Sequence, residues 1–238
     1  MKTVVCLPTY NERENLEPLV RALGEVLPEG GQVLVIDDSS PDGTGELADS
    51  LADALEYVGV LHRPRKEGLG PAYLDGFRHA LALSADLILE MDCDFSHAPA
   101  DVPRLIAAAD SADVVLGSRY TPGGSIPDWG FLRRAVSRGG NIYAQGVLGL
   151  SYRDLTGGFK CYRRQALEAI DLGAISSRGY AFQIETTYRA LRAGFRVIEV
   201  PIAFVDRRVG RSKMRSEIVV EAIWKVPLLR LATALGRF

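Results

Sequence analysis

Two hydrophobic rhythms alternate along the first part of the chain. Short aliphatic runs at 3–7, 33–36, 57–61 and 86–92 read as buried strands. Between them apolar residues recur at helical spacing: Leu16, Leu19, Val20, Leu23 and Leu27, then Leu47, Leu51 and Leu55, then the stretch 71–83. This β-α-β-α-β-α-β order predicts an α/β fold, a mostly parallel sheet with helices on both faces and right-handed crossovers. The polar clusters all follow strands, on the edge where such sheets bind ligands.

Those clusters are acidic. Asp37-Asp38-Ser39-Ser40-Pro41-Asp42-Gly43-Thr44 follows the second run and Asp92-Cys93-Asp94-Phe95-Ser96-His97 the fourth. Residues two apart on an extended chain point to the same side. Asp92 and Asp94 are therefore expected as paired oxygen ligands for Mg²⁺ or Mn²⁺, which keep other positions for water and substrate phosphates. The competing assignment makes Asp94 or Ser96 the cap of a helix opened by Pro99. Asp42-Gly43 reads as turn chemistry. No G-x-G-x-x-G follows the first strand and there is no Walker sequence, so dinucleotide and P-loop sites lose their main support. Carboxylates accept hydrogen bonds from a base or ribose but repel phosphates unless a metal intervenes. Asp37 or Asp38 for base and ribose, with Asp92 and Asp94 for a metal on a diphosphate, make one consistent nucleotide site.

Composition narrows the class without changing it. The chain has 238 residues, 47% hydrophobic and 24% charged, which suits one large α/β domain or two small ones. A net charge of −2 offers no basic field for nucleic acid. Cys6, Cys93 and Cys161 have no metal or redox spacing and are expected as reduced thiols in a cytosolic protein. No signal peptide is expected at the N-terminus, and no run reaches the ~18 apolar residues of a membrane span.

Pro8-Thr9-Tyr10-Asn11-Glu12 and the two acidic clusters resemble the inverting family 2 glycosyltransferases. Four downstream stretches sharpen this: Gly117-Ser118-Arg119-Tyr120, Thr156-Gly157-Gly158-Phe159, Gly179-Tyr180-Ala181-Phe182-Gln183-Ile184-Glu185, and Val205-Asp206-Arg207 through Gly210-Arg211-Ser212-Lys213. As an ordered set over residues 3–221 they resemble the polyprenyl-phosphate (dolichyl-phosphate) mannosyltransferases. The resemblance implies the nucleotide-sugar transferase (GT-A type) fold and transfer of mannose from GDP-mannose to a polyprenyl monophosphate. It assigns Pro8, Tyr10, Glu12, Ile36 and Asp38 to the guanosine. Asp92 and Asp94, with the Cys93 backbone, fall to the metal and donor, Lys213 to the donor diphosphate, and Arg207 to donor binding as well. Arg119, Arg133, Ser137 and Arg207 fall to the acceptor phosphate. Asp94, Arg119 and Arg207 carry the catalytic assignment. Ser96, a further metal position, stands where many relatives carry Gln.

Those residue types suit that chemistry. A lipid monophosphate is an anion near neutral pH, with a second pKa of about 6. It needs no general base, only positive charge to hold it beside an anionic donor, and Arg presents a fork that matches phosphate oxygens. A single displacement inverts the anomeric centre.

The remaining features are weighed against structural roles. Arg133, Arg134 and Arg138 lie on an expected helix after Gly123-Gly124-Ser125-Ile126-Pro127-Asp128-Trp129-Gly130, a stretch suited to close over an acceptor. His62, His79 and His97 show no metal spacing and are expected at the surface or at helix ends. Tyr180 and Phe182 are expected as core or pocket wall. Gln183 and Glu185 are the candidates for polar roles near the sugar, Glu185 equally for a structural ion pair.

The chain divides into a catalytic unit, 1–213, and a tail, 214–238. In the tail Glu217, Glu221 and Lys225 share one helical face and Val219, Ala222, Ile223 and Val226 the other, before Pro227 interrupts. The tail either lies at a membrane interface or packs on its own core. A peripheral enzyme at the inner face of the cell membrane is expected, with any anchor absent or supplied by a partner. Two alternatives remain: a UDP-glucose or UDP-aminosugar transferase acting on the same lipid phosphate, and a non-catalytic nucleotide-sugar sensor.

Overall fold

Residues 1–177, 179–207 and 216–236 are described by the computed structural model, the side chains of 216–220 excepted. The strands are β1 (Thr3–Thr9), β2 (Gln32–Asp37), β3 (Val58–His62), β4 (Leu87–Glu90), β5 (Val114–Ser118), β6 (Lys160–Arg163) and β7 (Val197–Pro201). The helices are α1 (Arg13–Val26), α2 (Thr44–Ala54), α3 (Leu69–Ala82), α4 (Val102–Ala108), α5 (Phe131–Leu148), α6 (Arg164–Ala169), α7 (Gly179–Arg192) and α8 (Ser216–Ala234).

They form one seven-stranded sheet in the order β3-β2-β1-β4-β6-β5-β7. Strand neighbours alternate their side chains between two cores. Val5, Leu7, Val33, Val35, Leu87 and Leu89 pack under α1, α2 and α4. Val4, Cys6, Leu34, Ile36 and Ile88 pack under α3 and α7. Burial on both faces is why these strands read as unbroken aliphatic runs rather than as alternating ones. The helix α3 lies close at Gly76: a Cβ there would stand 2.3 Å from Ile36 Cδ1, so a larger residue would require that side chain to move. All three cysteines are free and buried.

The strand β6 is the exception to parallel order, running antiparallel between β4 and β5. It therefore begins at the edge where its neighbours end, and this brings Thr156-Gly157-Gly158-Phe159 to the carboxyl edge of the sheet. Three of the described non-glycine residues with positive φ also lie there: Asn11 after β1, Ser39 after β2 and Phe95 after β4. Left-handed backbone is tolerated by Asn but strained for Phe, and such strain concentrates at functional edges.

A third cluster joins Ala144 and Leu148 of α5, Ile184 and Tyr188 of α7, and Val226 and Leu229 of α8. The expected interruption at Pro227 does not occur, and α8 runs through it. Its described part packs one face on the protein's own core and leaves the other exposed. One face docks through Val226 and Leu229, with Tyr188 Oη 2.8 Å from Thr233 Oγ1. The other exposes Ile223, Trp224, Leu228, Leu231 and Leu235. Among the described residues no helix is long and apolar enough to cross a membrane.

Candidate active site

Three loops at the carboxyl edge carry the donor-side candidates. After β1, the half-buried Tyr10 lies under the Lys66 ammonium, 3.6 Å from the ring centroid. Glu12 accepts a hydrogen bond from Asn15 Nδ2 at 2.8 Å, while its backbone N–H donates to Thr44 Oγ1 at 3.0 Å. After β2, Asp37 is consumed by the turn: Thr9 Oγ1, Ser40 N and Ser40 Oγ all donate to it. Asp42 accepts from Thr44 N and Thr44 Oγ1, which is the turn chemistry expected of it.

Asp38 is buried against Arg63, whose guanidinium also reaches Asp75 at 2.8 Å and Glu67 at 2.9 Å. Burial raises the Asp38 carboxyl above its ordinary range, opposed by the Arg63 hydrogen bond. Arg63 organises this side of the site and the sequence did not single it out. Its one signal was its place, a single residue past β3. Pro8 is half-buried on β1, and Ile36 turns its side chain into the core, so from there only its backbone faces the edge.

The strand expected to end at Asp92 stops at Glu90, where its pairing with Cys6 and Lys160 runs out. Asp92 and Asp94 are therefore held by a turn and not by strand alternation. Asp94 Oδ1 accepts from Ser96 N at 3.0 Å, and Phe95 is left-handed at φ 61°. Tyr73 Oη donates to Asp92 Oδ1 at 3.3 Å. Removal from water, then the neighbouring Asp94 and Glu90 carboxylates, push the Asp92 carboxyl well above its ordinary range. Such crowding is what a cation relieves. The donor set at the turn is two carboxylates with the Ser96 hydroxyl, whose Oγ is buried without a hydrogen-bond partner among the described residues. Among the described residues no group of three or more His, Cys, Asp or Glu side chains gathers as a cage. Two carboxylates, with remaining positions left to water and phosphate, fit a magnesium-type ion.

His97 is neither at the surface nor at a helix end, contrary to expectation. It is buried in this turn, its Nδ1 accepting the Asp92 N–H at 3.3 Å. Burial holds its pKa below the ordinary histidine range, so the ring is neutral near pH 7.

The basic candidates separate into two kinds. Arg207 Nη2 lies 3.2 Å from Asp94 Oδ2, joining the cationic side of the site to the carboxylate pair. Arg133, partly exposed, stacks over Trp129 at 4.0 Å and pairs with Asp206 at 2.5 Å. Ser137 lies one turn further along the same face of α5. Arg119, expected to meet the acceptor phosphate, instead turns inward. Its Nε and Nη2 grip the two Asp154 oxygens at 2.7 Å each, its backbone N–H adds a third bond to Asp154 at 2.9 Å, and Nη2 also reaches Thr156 Oγ1. Burial alone would lower the Arg119 pKa, but Asp154 more than reverses this. The physical reason is a fully buried carboxylate needing a counter-charge.

Asn141 of α5 clamps the same segment through Leu155 N, Thr156 N and Thr156 Oγ1. Arg134 is likewise structural, donating to the Ile126 and Pro127 carbonyls. Glu185 is an ion-pair partner of Arg189 at 2.8 Å, buried in α7. Gln183 instead faces Glu90 under the turn, 3.4 Å away. Lys213 lies outside the described residues.

The family model for glycosyl transferase family 2 matches residues 4–171. The chain is 47% identical over 232 residues to the undecaprenyl-phosphate mannosyltransferase of Micrococcus luteus, covering 98% of this chain and 95% of that protein. It is 48% identical over 227 residues to the polyprenol monophosphomannose synthase of Mycolicibacterium smegmatis, covering 94% of this chain and 85% of that one. Among solved structures it is similar to glucosyl-3-phosphoglycerate synthase from Mycobacterium tuberculosis in complex with Mn²⁺, UDP and glucosyl-3-phosphoglycerate. The TM-score is 0.66, with 19% identity over 99% of this chain and 79% of that one. The expected nucleotide-sugar transferase fold is thereby borne out, and the chain belongs to glycosyl transferase family 2.

Proposed function

We propose that this chain transfers mannose from GDP-mannose to a polyprenyl monophosphate in a single inverting displacement, using Mg²⁺ or Mn²⁺. The observation that carries this reading is the contact of Arg207 with Asp94, where a cationic acceptor side meets a crowded carboxylate pair. The close similarity to the two mannosyl-lipid synthases supports the substrate class.

Asp92 and Asp94, with Ser96, would hold the cation. When bound, it offsets the negative charge developing on the departing diphosphate. Tyr10, Glu12 and Asp38 take the nucleoside, Asp38 held in place by Arg63. Arg133, Ser137 and Arg207 take the acceptor phosphate, and Lys213 the donor diphosphate. Arg119 serves as a positioning residue: its grip on Asp154 fixes the loop ahead of Thr156-Gly157-Gly158, beside the turn. A phosphate nucleophile needs no base, in keeping with Glu185 being tied to Arg189. Holding attacker and sugar in line supplies roughly 7–11 kcal/mol of the barrier.

The working surface is the cytoplasmic face of the membrane, with the tail 214–238 at the interface. Phe131 and Leu132 of α5 and Trp224 and Leu228 of α8 present apolar surface to solvent, and Arg133, Arg134 and Arg138 put positive charge beside it. A blue shift of Trp224 emission on anionic vesicles tests that placement; an unchanged spectrum removes it. The donor is tested by initial rates with GDP-mannose and UDP-glucose on one lipid phosphate. GDP-mannose is expected to dominate, and faster turnover of UDP-glucose would overturn the assignment.

A further inference from the structure

The turn 92–97 closes on itself through a residue that the reaction chemistry leaves unused. The ladder of β4 ends with Met91 N donating to Cys6 O at 3.2 Å. The next N–H, that of Asp92, has no strand to meet, and an unpaired backbone donor at such a place is costly. His97 Nδ1 takes it at 3.3 Å. An accepting Nδ1 puts the ring hydrogen on Nε2, the neutral tautomer.

The ring is fixed from two directions. It stacks on Phe159 with centroids 4.9 Å apart and planes 23° apart, and meets Phe204 edge-on at 5.2 Å. Phe159 ends the Thr156-Gly157-Gly158 segment, and Phe204 lies three residues before Arg207. One imidazole therefore touches the carboxylate turn, the glycine segment and the segment leading to the arginine. Within the turn, the left-handed Phe95 and the Ser96 N–H on Asp94 complete a closed loop whose two ends are joined by the histidine bond.

We propose that His97 is the positioning residue of this turn: by accepting the Asp92 N–H through Nδ1, it holds the Asp92 and Asp94 carboxylates in the arrangement that takes a divalent cation. This rests on the assignment of those carboxylates to a metal. His97 touches neither sugar nor phosphate in this scheme and acts through the backbone of Asp92. Groups one step removed from a metal commonly change its affinity by about 10–100-fold when lost.

The test uses the full chain and reads Mn²⁺ binding by electron paramagnetic resonance in the presence of GDP, without turnover. His97→Phe keeps an aromatic ring against Phe159 but removes the acceptor; His97→Asn places an amide oxygen near the Nδ1 position and gives up the ring. Mn²⁺ affinity is expected to fall about 10–100-fold in His97→Phe and to stay close to the wild-type value in His97→Asn. Should His97→Phe fail to fold, His97→Gln replaces it, since its longer amide reaches the Nε2 position instead, and the same loss is expected. Wild-type Mn²⁺ affinity in the variant lacking the Nδ1 acceptor would overturn the proposal, as would an equal loss in His97→Asn. Absence of Mn²⁺ binding by the wild-type chain would instead overturn the metal assignment, and this proposal with it.

Discussion

The proposed donor side and acceptor side of the site are built in different ways. On the donor side each functional segment follows a strand and closes on itself through local turns, Asp37 to Ser40, Asp42 to Thr44 and Asp94 to Ser96, with Thr9 and Arg63 adding ties from neighbouring strand ends. On the acceptor side the ties span the chain, Arg119 to Asp154 and Arg133 to Asp206. The two halves meet at the turn, where Arg207 reaches Asp94 and His97 packs on Phe159 and Phe204. In the proposed reading these turns form the platform for a metal and a diphosphate. Long-range pairs around a partly exposed helix suit a surface that must admit a lipid phosphate.

The largest effect is expected at the platform. Asp94→Ala removes a carboxylate and its contact with Arg207; transfer should fall at least about 10²–10³-fold, the range seen when charge stabilisation is lost at a reacting centre. A melt close to wild type would show that the loss is chemical. Near-wild-type, metal-dependent turnover would remove Asp94 from the metal.

Asp154→Asn and Arg133→Ala divide the acceptor side next. Asp154→Asn strands the Arg119 charge in the interior, and breaking such a buried pair costs about 3–5 kcal/mol. At about 2–4 °C per kcal/mol for a chain of this size, the melting temperature should drop roughly 6–20 °C. Arg133 and Asp206 form an exposed pair worth about 0–1 kcal/mol, so Arg133→Ala should melt normally. Its KM for the lipid phosphate should instead rise about ten- to a hundredfold, from a lost charged hydrogen bond of ~1.5–3 kcal/mol, with GDP affinity unchanged by calorimetry. Equal losses in donor and acceptor would erase the distinction between the two sides.

The smallest effect is expected at Glu185→Gln. The side chain is committed to Arg189, so kcat should change far less than the roughly 10²–10⁴-fold that follows removal of a general base. A loss of that size with binding intact would require a base, and with it a hydroxyl acceptor.

The same contrast explains what the sequence disclosed. The first half was legible because periodicity and turn residues are local signals, and every strand and helix expected before Asp92 is present. The end of β4 was misplaced by two residues because pairing with β1 and β6 decides it, and β6 enters from the far half of the chain. Arg119 looked like a phosphate ligand because its motif does not mention Asp154, thirty-five positions on. Arg63 and His97 went unrecognised for a related reason. A lone Arg after a strand and a lone His after an acidic motif carry no spacing pattern, and only the folded chain sets them against Asp38 and the Asp92 N–H.

The central claim is that a phosphate oxygen, held by arginines beside a metal-loaded carboxylate turn, attacks the sugar without a base. It is tested most directly by following labelled mannose from GDP-mannose onto a short polyprenyl phosphate and onto the corresponding polyprenol, each with and without chelator. The account predicts a labelled phosphodiester from the phosphate alone, lost on chelation and restored by Mg²⁺ or Mn²⁺. Comparable transfer to the free alcohol, or full transfer to the phosphate in chelator, would contradict it.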